Sequence, residues 1–271
     1  IGSDTGGSVR VPSAWNDLVG LKTTAGRLSN AGVVPLAARF DTAGPMTRSV
    51  EDAALLLAAL EGGKPADLQS ADLSNARFAI LETIALDDLD EVIRDAFEAS
   101  VGKLRAAGAK IISLEVPIVS DAMAQSAVLF SSEAYGTWKD TIEASPDMMY
   151  GEILQRFRSG AAHTAADYVA AWQMLECARQ VWFETTAGFD AVLVPTTANL
   201  PPKMARLQTE EEYYKTANLL TLRNTRIGNL MGVSALTLPT GMPSCGMMLI
   251  GKANGEAHLL RLGAAAETVL G

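Results

Sequence analysis

Residues 1–29, IGSDTGGSVRVPSAWNDLVGLKTTAGRLS, place a serine, Ser8, directly behind two glycines in a segment rich in Gly, Ser and Thr. Glycines let consecutive backbone N–H groups point into one concavity without Cβ clashes, and such a concavity attracts negative charge. Two chemical uses follow, a phosphate cradle and an oxyanion hole. The phosphate use fails in detail: GSDTGGS has no Lys before its Ser and lacks the three-glycine spacing of a dinucleotide-binding turn. A nucleophile elbow fails too, because Val9 and Arg10 follow Ser8 where that motif has x-Gly, and no helix plainly follows. An oxyanion hole needs a nucleophile at the same spot, and Ser8 supplies one. A plain Ser-containing turn is the competing reading of the loop taken alone.

The rest of the chain narrows the class of protein. Its 271 residues are 48% apolar and 20% charged, a mixture that builds a full hydrophobic core and excludes disorder. A formal net charge of -9, with no dense run of Lys or Arg, argues against direct nucleic-acid binding. Cys177 and Cys245 have no partners nearby in sequence, so neither a disulfide framework nor a zinc site is expected. Free thiols suit a reducing compartment, and the cytoplasm is the expected location. His163 and His258 lie far apart without ligand-like neighbours and read as surface or helix-end residues. No apolar stretch is long enough to cross a membrane, and no secretory signal is evident. The first residue is Ile1, in mid-motif, so the chain reads as trimmed.

Residues 1–48 read as loops with short strands and one buried helical turn. A helix starts at Ser49, where SVED resembles a capping box, and stops at Gly62-Gly63. RFAILE, from Arg77, reads as a strand. The next helix carries Ile93, Phe97, Val101 and Leu104 on one face, and KIISLEV is a second strand. Residues 119–188 are mostly helical, and Tyr168, Trp172, Leu175 and Trp182 form a stripe that reads as core rather than a cofactor box. DAVLVP is a buried strand, a helix follows at about 209–231, and SALTLP and GMMLIG are strands before a final helix at about 255–270. With no repeat and no long linker, the pattern predicts one compact α/β unit with helices covering a sheet.

The opening block and FDTAGPMTRSVEDAALLLAAL together resemble the second half of the amidase signature. The resemblance continues through DAVLVPTTANLPP, GNLMGVSALTLPTG and GMMLIG, in the family's order and over essentially the whole chain. It implies an α/β fold with a mixed sheet between helices, residues 1–271 forming the C-terminal portion of a single amidase-signature domain. Ser8 matches the acylating nucleophile of a Ser–cis-Ser–Lys triad, and the N–H groups of Thr5, Gly6, Gly7 and Ser8 match the oxyanion hole. Asp4 and Arg10 match a charged pair that braces the loop. The implied reaction is hydrolysis of a small-molecule carboxamide through an acyl-enzyme, without metal or organic cofactor. Homo-oligomerisation is left open.

The family's catalytic Lys and bridging Ser lie upstream of the point where this sequence begins. Lys22, in GLKTT, fits a downstream structural block, and no other lysine substitutes for the base. The 271-residue chain is therefore expected to be inactive by itself. Three positions depart from the family pattern: Ser234 stands where Pro is usual, Met248 takes a common Gln position, and Ser244-Cys245 adds a residue. Cys245 reads as a small buried thiol or as a residue bordering the cleft. Residues 133–172 do not closely resemble the charged segment of the glutaminase subunits of tRNA-dependent amidotransferases, which favours a free-standing amidase. Two alternatives are the glutaminase subunit of such a complex and a catalytically inactive interaction subunit. Thr196 and Arg226 lie near the variable pocket loops and read equally well as a turn residue and a helix-face charge.

Overall fold

β-branched and apolar runs form the strands, and runs with helical period form the helices that cover them. A computed structural model describes residues 1–271. The N-terminal part holds β1 (Gly2–Asp4), α1 (Arg10–Trp15), β2 (Val19–Lys22), β3 (Thr42–Gly44), β4 (Met46–Thr47) and α2 (Val50–Glu61). Next come β5 (Arg77–Leu81), α3 (Glu91–Ala106), β6 (Lys110–Leu114), α4 (Ile118–Ala124), α5 (Ser126–Ala144), α6 (Gly151–Arg158) and α7 (Ala165–Thr186). The chain finishes with β7 (Ala191–Pro195), α8 (Met204–Thr209), α9 (Glu211–Leu230), β8 (Ala235–Pro239), β9 (Gly246–Ile250) and α10 (Glu256–Leu270).

Seven strands form one mixed sheet in the order β4-β2-β8-β9-β7-β5-β6, while β1 and β3 pair as a separate ribbon. β5 runs parallel to β6 and β7, and the remaining neighbours are antiparallel. The expected β5–α3–β6 unit is present, with Phe78 opposite Ile111 and Leu81 opposite Leu114. Every residue of β7 is buried, as a central strand covered on both faces requires. Its alternation divides the core. Leu193 joins Leu57, Phe97, Leu104 and Leu260 beneath α2, α3 and α10. Val192 and Val194 face the opposite layer, with Leu129, Leu175, Trp182 and Ile227 from α5, α7 and α9. The α7 stripe is core at Leu175 and Trp182 and half-buried at Tyr168 and Trp172, with Trp172 stacked on Phe40 at 5.3 Å.

Two local expectations need correction. The Ser49 hydroxyl accepts from the Asp52 N–H at 3.1 Å, but the Asp52 carboxylate does not return the bond, so only half of the capping box forms. Glu267 Oε1 accepts from a different donor of the same turn, the Val50 N–H, at 3.0 Å. A helix does follow Ser8, namely α1. Its Pro12 lies in the first turn, where a missing N–H costs no helical hydrogen bond, so the proline hid a helix it does not break.

Replacing Leu193, fully buried, by Ala is expected to cost about 2–5 kcal/mol, whereas Leu60→Ala on the exposed side of α2 costs less than about 0.5 kcal/mol. Urea midpoints with unchanged slopes check this; equal losses at the two sites would contradict the two-layer core.

Candidate active site

The loop around Ser8 is held from below by one ion pair. Asp4 ends β1 and Arg10 begins α1, and both are wholly buried. Arg10 donates through Nε to Asp4 Oδ2 at 3.0 Å and through Nη2 to Asp4 Oδ1 at 2.9 Å, a bidentate pairing. Asp4 Oδ2 also accepts from the Val9 N–H at 3.2 Å, and Asn229 Nδ2 donates to Oδ1 at 2.9 Å. Burial raises the Asp4 carboxyl, but the Arg10 charge and hydrogen bond, aided by Lys22 and Asn229, outweigh it and hold it at about 2. The paired carboxylate and guanidinium thus fix both ends of a five-residue loop, residues 5–9.

A second set of contacts ties that loop to α9 and to the segment before β3. Arg10 Nη1 donates to the Thr225 carbonyl at 2.6 Å, and the Thr225 hydroxyl donates to the Gly6 carbonyl at 2.7 Å. Gly7 sits at φ +143°, and a Cβ there would lie 2.2 Å from Thr225 Oγ1. Only glycine allows α9 to approach this closely. On the other side, the Thr5 hydroxyl donates to Asp41 Oδ1 at 2.5 Å, and Asp41 Oδ2 accepts from the Leu36 N–H at 2.8 Å.

The result is a run of unbonded backbone donors. The N–H groups of Thr5, Gly6, Gly7 and Ser8 donate no hydrogen bond within the chain, whereas the adjoining Val9 N–H is consumed by Asp4. Ser8 itself is exposed, and it borders a cavity of about 290 Å³ together with Thr5 and Gly6. Leu36, Phe130, Phe157 and Leu222 supply the cavity's apolar wall. Four free donors beside a free hydroxyl can bind an oxyanion formed by attack of that hydroxyl. No group of three or more His, Cys, Asp or Glu side chains is arranged to hold a metal ion, and no helix is long and apolar enough to cross a membrane.

The structure thus gathers Thr5, Gly6 and Ser8 at the cavity, with Gly7 buried under α9 and Asp4 and Arg10 beneath the loop. Thr225, Asn229 and Asp41 escaped residue-by-residue reading. Asn229 lay within the quoted GNLMG block and Asp41 within FDTAG, but nothing local distinguishes their side chains from ordinary caps and turns. Arg226 lines the cavity, while Thr196 is buried and hydrogen-bonded to the Thr237 hydroxyl. Cys245 is buried beside Ile93 and Ala96, and Met248 packs its sulfur 3.3 Å from Arg10 Nη1. The Ser234 hydroxyl donates to the Lys252 carbonyl at 2.8 Å, a bond proline could not make.

Lys22 has the electrostatics of a general base without the position. Burial first, and the Arg10 charge second, bring its ammonium down from 10.5 to about 7. Its Nζ, however, donates to the Thr23 and Val233 carbonyls at 2.9 and 2.8 Å, and Lys22 does not line the Ser8 cavity. A depressed lysine makes the unfolded chain bind the extra proton between pH 7 and 10.5, so stability rises with pH across that window. Urea midpoints taken from about pH 7 to about pH 10 are expected to climb in the wild type, by up to about 1.4 kcal/mol per pH unit for one proton. The same series should be flatter in Lys22→Met; an unchanged slope would mean that Lys22 titrates normally.

A family model described as Amidase matches residues 1–260. The chain is 32% identical to a 2-amino-5-chloromuconic acid deaminase from Comamonas testosteroni, over all of this chain and 60% of that protein. It is 31% identical to a glutamyl-tRNA(Gln) amidotransferase subunit from Shouchella clausii (strain KSM-K16), over 97% of this chain and 62% of that one. A crystal structure of an amidase superposes with a TM-score of 0.85 at 26% identity, covering 100% of this chain and 62% of its own. The chain therefore spans about three-fifths of the length of these relatives.

Proposed function

Since the chain belongs to the amidase family, we propose that it is the C-terminal portion of an amidase in which Ser8 is the acylating nucleophile. The observation that carries this reading is the run of four unbonded N–H groups, Thr5 to Ser8, beside an exposed serine hydroxyl at the mouth of a cavity. Ser8 Oγ attacks the carbonyl carbon of a carboxamide, and its proton passes to a base. The carbonyl electron pair moves onto oxygen, where the loop N–H groups stabilise it. Collapse of the tetrahedral intermediate breaks the C–N bond, and the amine or ammonia leaves with the proton. Water then adds to the ester and releases the acid and the free serine.

The base is assigned, through the amidase-signature resemblance, to the family's upstream lysine acting through a bridging serine. Lys22, the one lysine held near neutrality, is committed to two carbonyls in the support of the loop. Asp4 and Arg10 act as positioning residues, keeping the loop closed while its N–H groups remain free. The two free cysteines support a reducing, cytoplasmic setting. The similarity to an amidotransferase subunit supports a second reading, a glutaminase that works within a complex. Glutamine hydrolysis that requires an added partner protein would select it.

Fluorophosphonate labelling of the full-length enzyme, followed by mass mapping, is expected to give one adduct on Ser8 and none in Ser8→Ala. That variant should lose hydrolysis by about 10⁴-fold or more. An adduct on another residue, or full hydrolysis by Ser8→Ala, would overturn the assignment.

A further inference from the structure

The cavity next to Ser8 carries a charge that the loop chemistry does not use. Asn218, Leu222 and Arg226 follow one another at four-residue spacing on α9, so they share one face of that helix, and all three line the cavity. Leu222 belongs to the apolar wall. The other two are polar, and both are left with a free donor: Asn218 Nδ2 and Arg226 Nε are buried and have no hydrogen-bond partner. Arg226 forms no ion pair, and neither does Arg156, the other arginine at the cavity. No acidic side chain lines the space.

A buried donor without an acceptor is destabilising, and more so when it is charged. Burial, and then the Arg156 charge, lower the Arg226 guanidinium to about 10, so it stays protonated near neutrality while lacking any compensating anion. The strain is local, because the chain as a whole carries a formal net charge of -9. Arg226 is also held in place. Its neighbour Thr225 is clamped to Arg10 and Gly6, and its guanidinium lies 5.9 Å from the Phe130 ring centroid. A Cβ built on Gly6 would stand 4.0 Å from Arg226 Nε, so the guanidinium sits beside the oxyanion loop itself.

We propose that Arg226, with Asn218 and Arg156, forms an anion-binding subsite that selects carboxamides whose acyl chain ends in a carboxylate. Two donors and a fixed positive charge match the acceptor-only chemistry of a carboxylate, and a guanidinium is the group best shaped for it. Because the subsite adjoins the loop, the carboxylate stands only a few carbons from the scissile carbonyl, as in the monoamide of a short dicarboxylic acid. Arg226 is a specificity-determining residue that touches substrate remote from the reacting bond. The inference rests on Ser8 being the nucleophile.

The test compares succinamic acid with the neutral amide butyramide, which has a methyl group in place of the carboxylate, as substrates of the full-length enzyme, in wild type and in Arg226→Gln. Wild type is expected to prefer succinamic acid, and the variant to lose about 10- to 100-fold in kcat/KM on it, as expected for a charge-assisted hydrogen bond. Its loss on butyramide should be several-fold smaller than its loss on succinamic acid, and Ser8 should still label with the fluorophosphonate. Arg226→Lys should recover part of the preference, because it restores charge without the planar fork. Equal loss on both substrates, or no wild-type preference for the acid, would overturn the subsite. A failure of the nucleophile assignment looks different: Ser8 would not label in the wild type, whatever Arg226 does.

Discussion

The bidentate contact between Asp4 and Arg10 is the constraint on which the site depends. A buried carboxylate and guanidinium are each costly to desolvate, and the pair is tolerable only because both members are almost fully hydrogen-bonded. Asp4 accepts four hydrogen bonds, from Arg10 twice, Val9 and Asn229. Arg10 spends its remaining donors on the Thr225 carbonyl and the Asn229 amide oxygen. Breaking such a pair by removing one partner typically costs about 3–5 kcal/mol, since the survivor is left charged and buried. The five-residue loop strung between the two residues inherits that rigidity. The N–H groups of Thr5 to Ser8 can therefore stay unbonded without the loop collapsing onto itself.

The same pair joins distant parts of the chain. β1 lies in a small ribbon with β3, α1 packs against the main sheet, and α9 arrives some 200 residues later, yet Asp4, Arg10, Thr225 and Asn229 form one network. Gly7 is where these parts meet most closely, with no room for a Cβ against Thr225. What positions the loop therefore also positions the α9 face carrying Asn218, Leu222 and Arg226. On the proposed function, chemistry and substrate recognition share one support. Lys22 belongs to that support as well: its buried amine bridges the end of β2 to the Val233 carbonyl just before β8.

Much of this was legible in the sequence, for identifiable reasons. The strands and helices were readable because their apolar spacing is strong, as in α3, where Ile93, Phe97, Val101 and Leu104 are all buried. The Ser8 loop was legible because two glycines before a serine restrict the uses of that backbone. The α1 helix was not, because Pro12 and a six-residue length remove the usual periodic signal. Nor was the capping of the first turn of α2 by Glu267, which accepts from the Val50 N–H and comes from the far end of the chain. Arg226 was an undecided helix-face charge in sequence. Its significance depends on the absence of any acid near it in space, which spacing along the chain does not report.

The central claim is that the Thr5–Ser8 N–H groups are free because they receive the oxyanion. The most direct measurement is a crystal structure of the full-length enzyme with a boronic acid bonded to Ser8 Oγ, a stable mimic of the tetrahedral intermediate. The account predicts a boronate oxygen about 2.7–3.1 Å from at least two of those backbone nitrogens, with the Asp4–Arg10 contact unchanged. A boronate oxygen turned toward solvent, or a loop that rearranges to bond its own N–H groups, would contradict it.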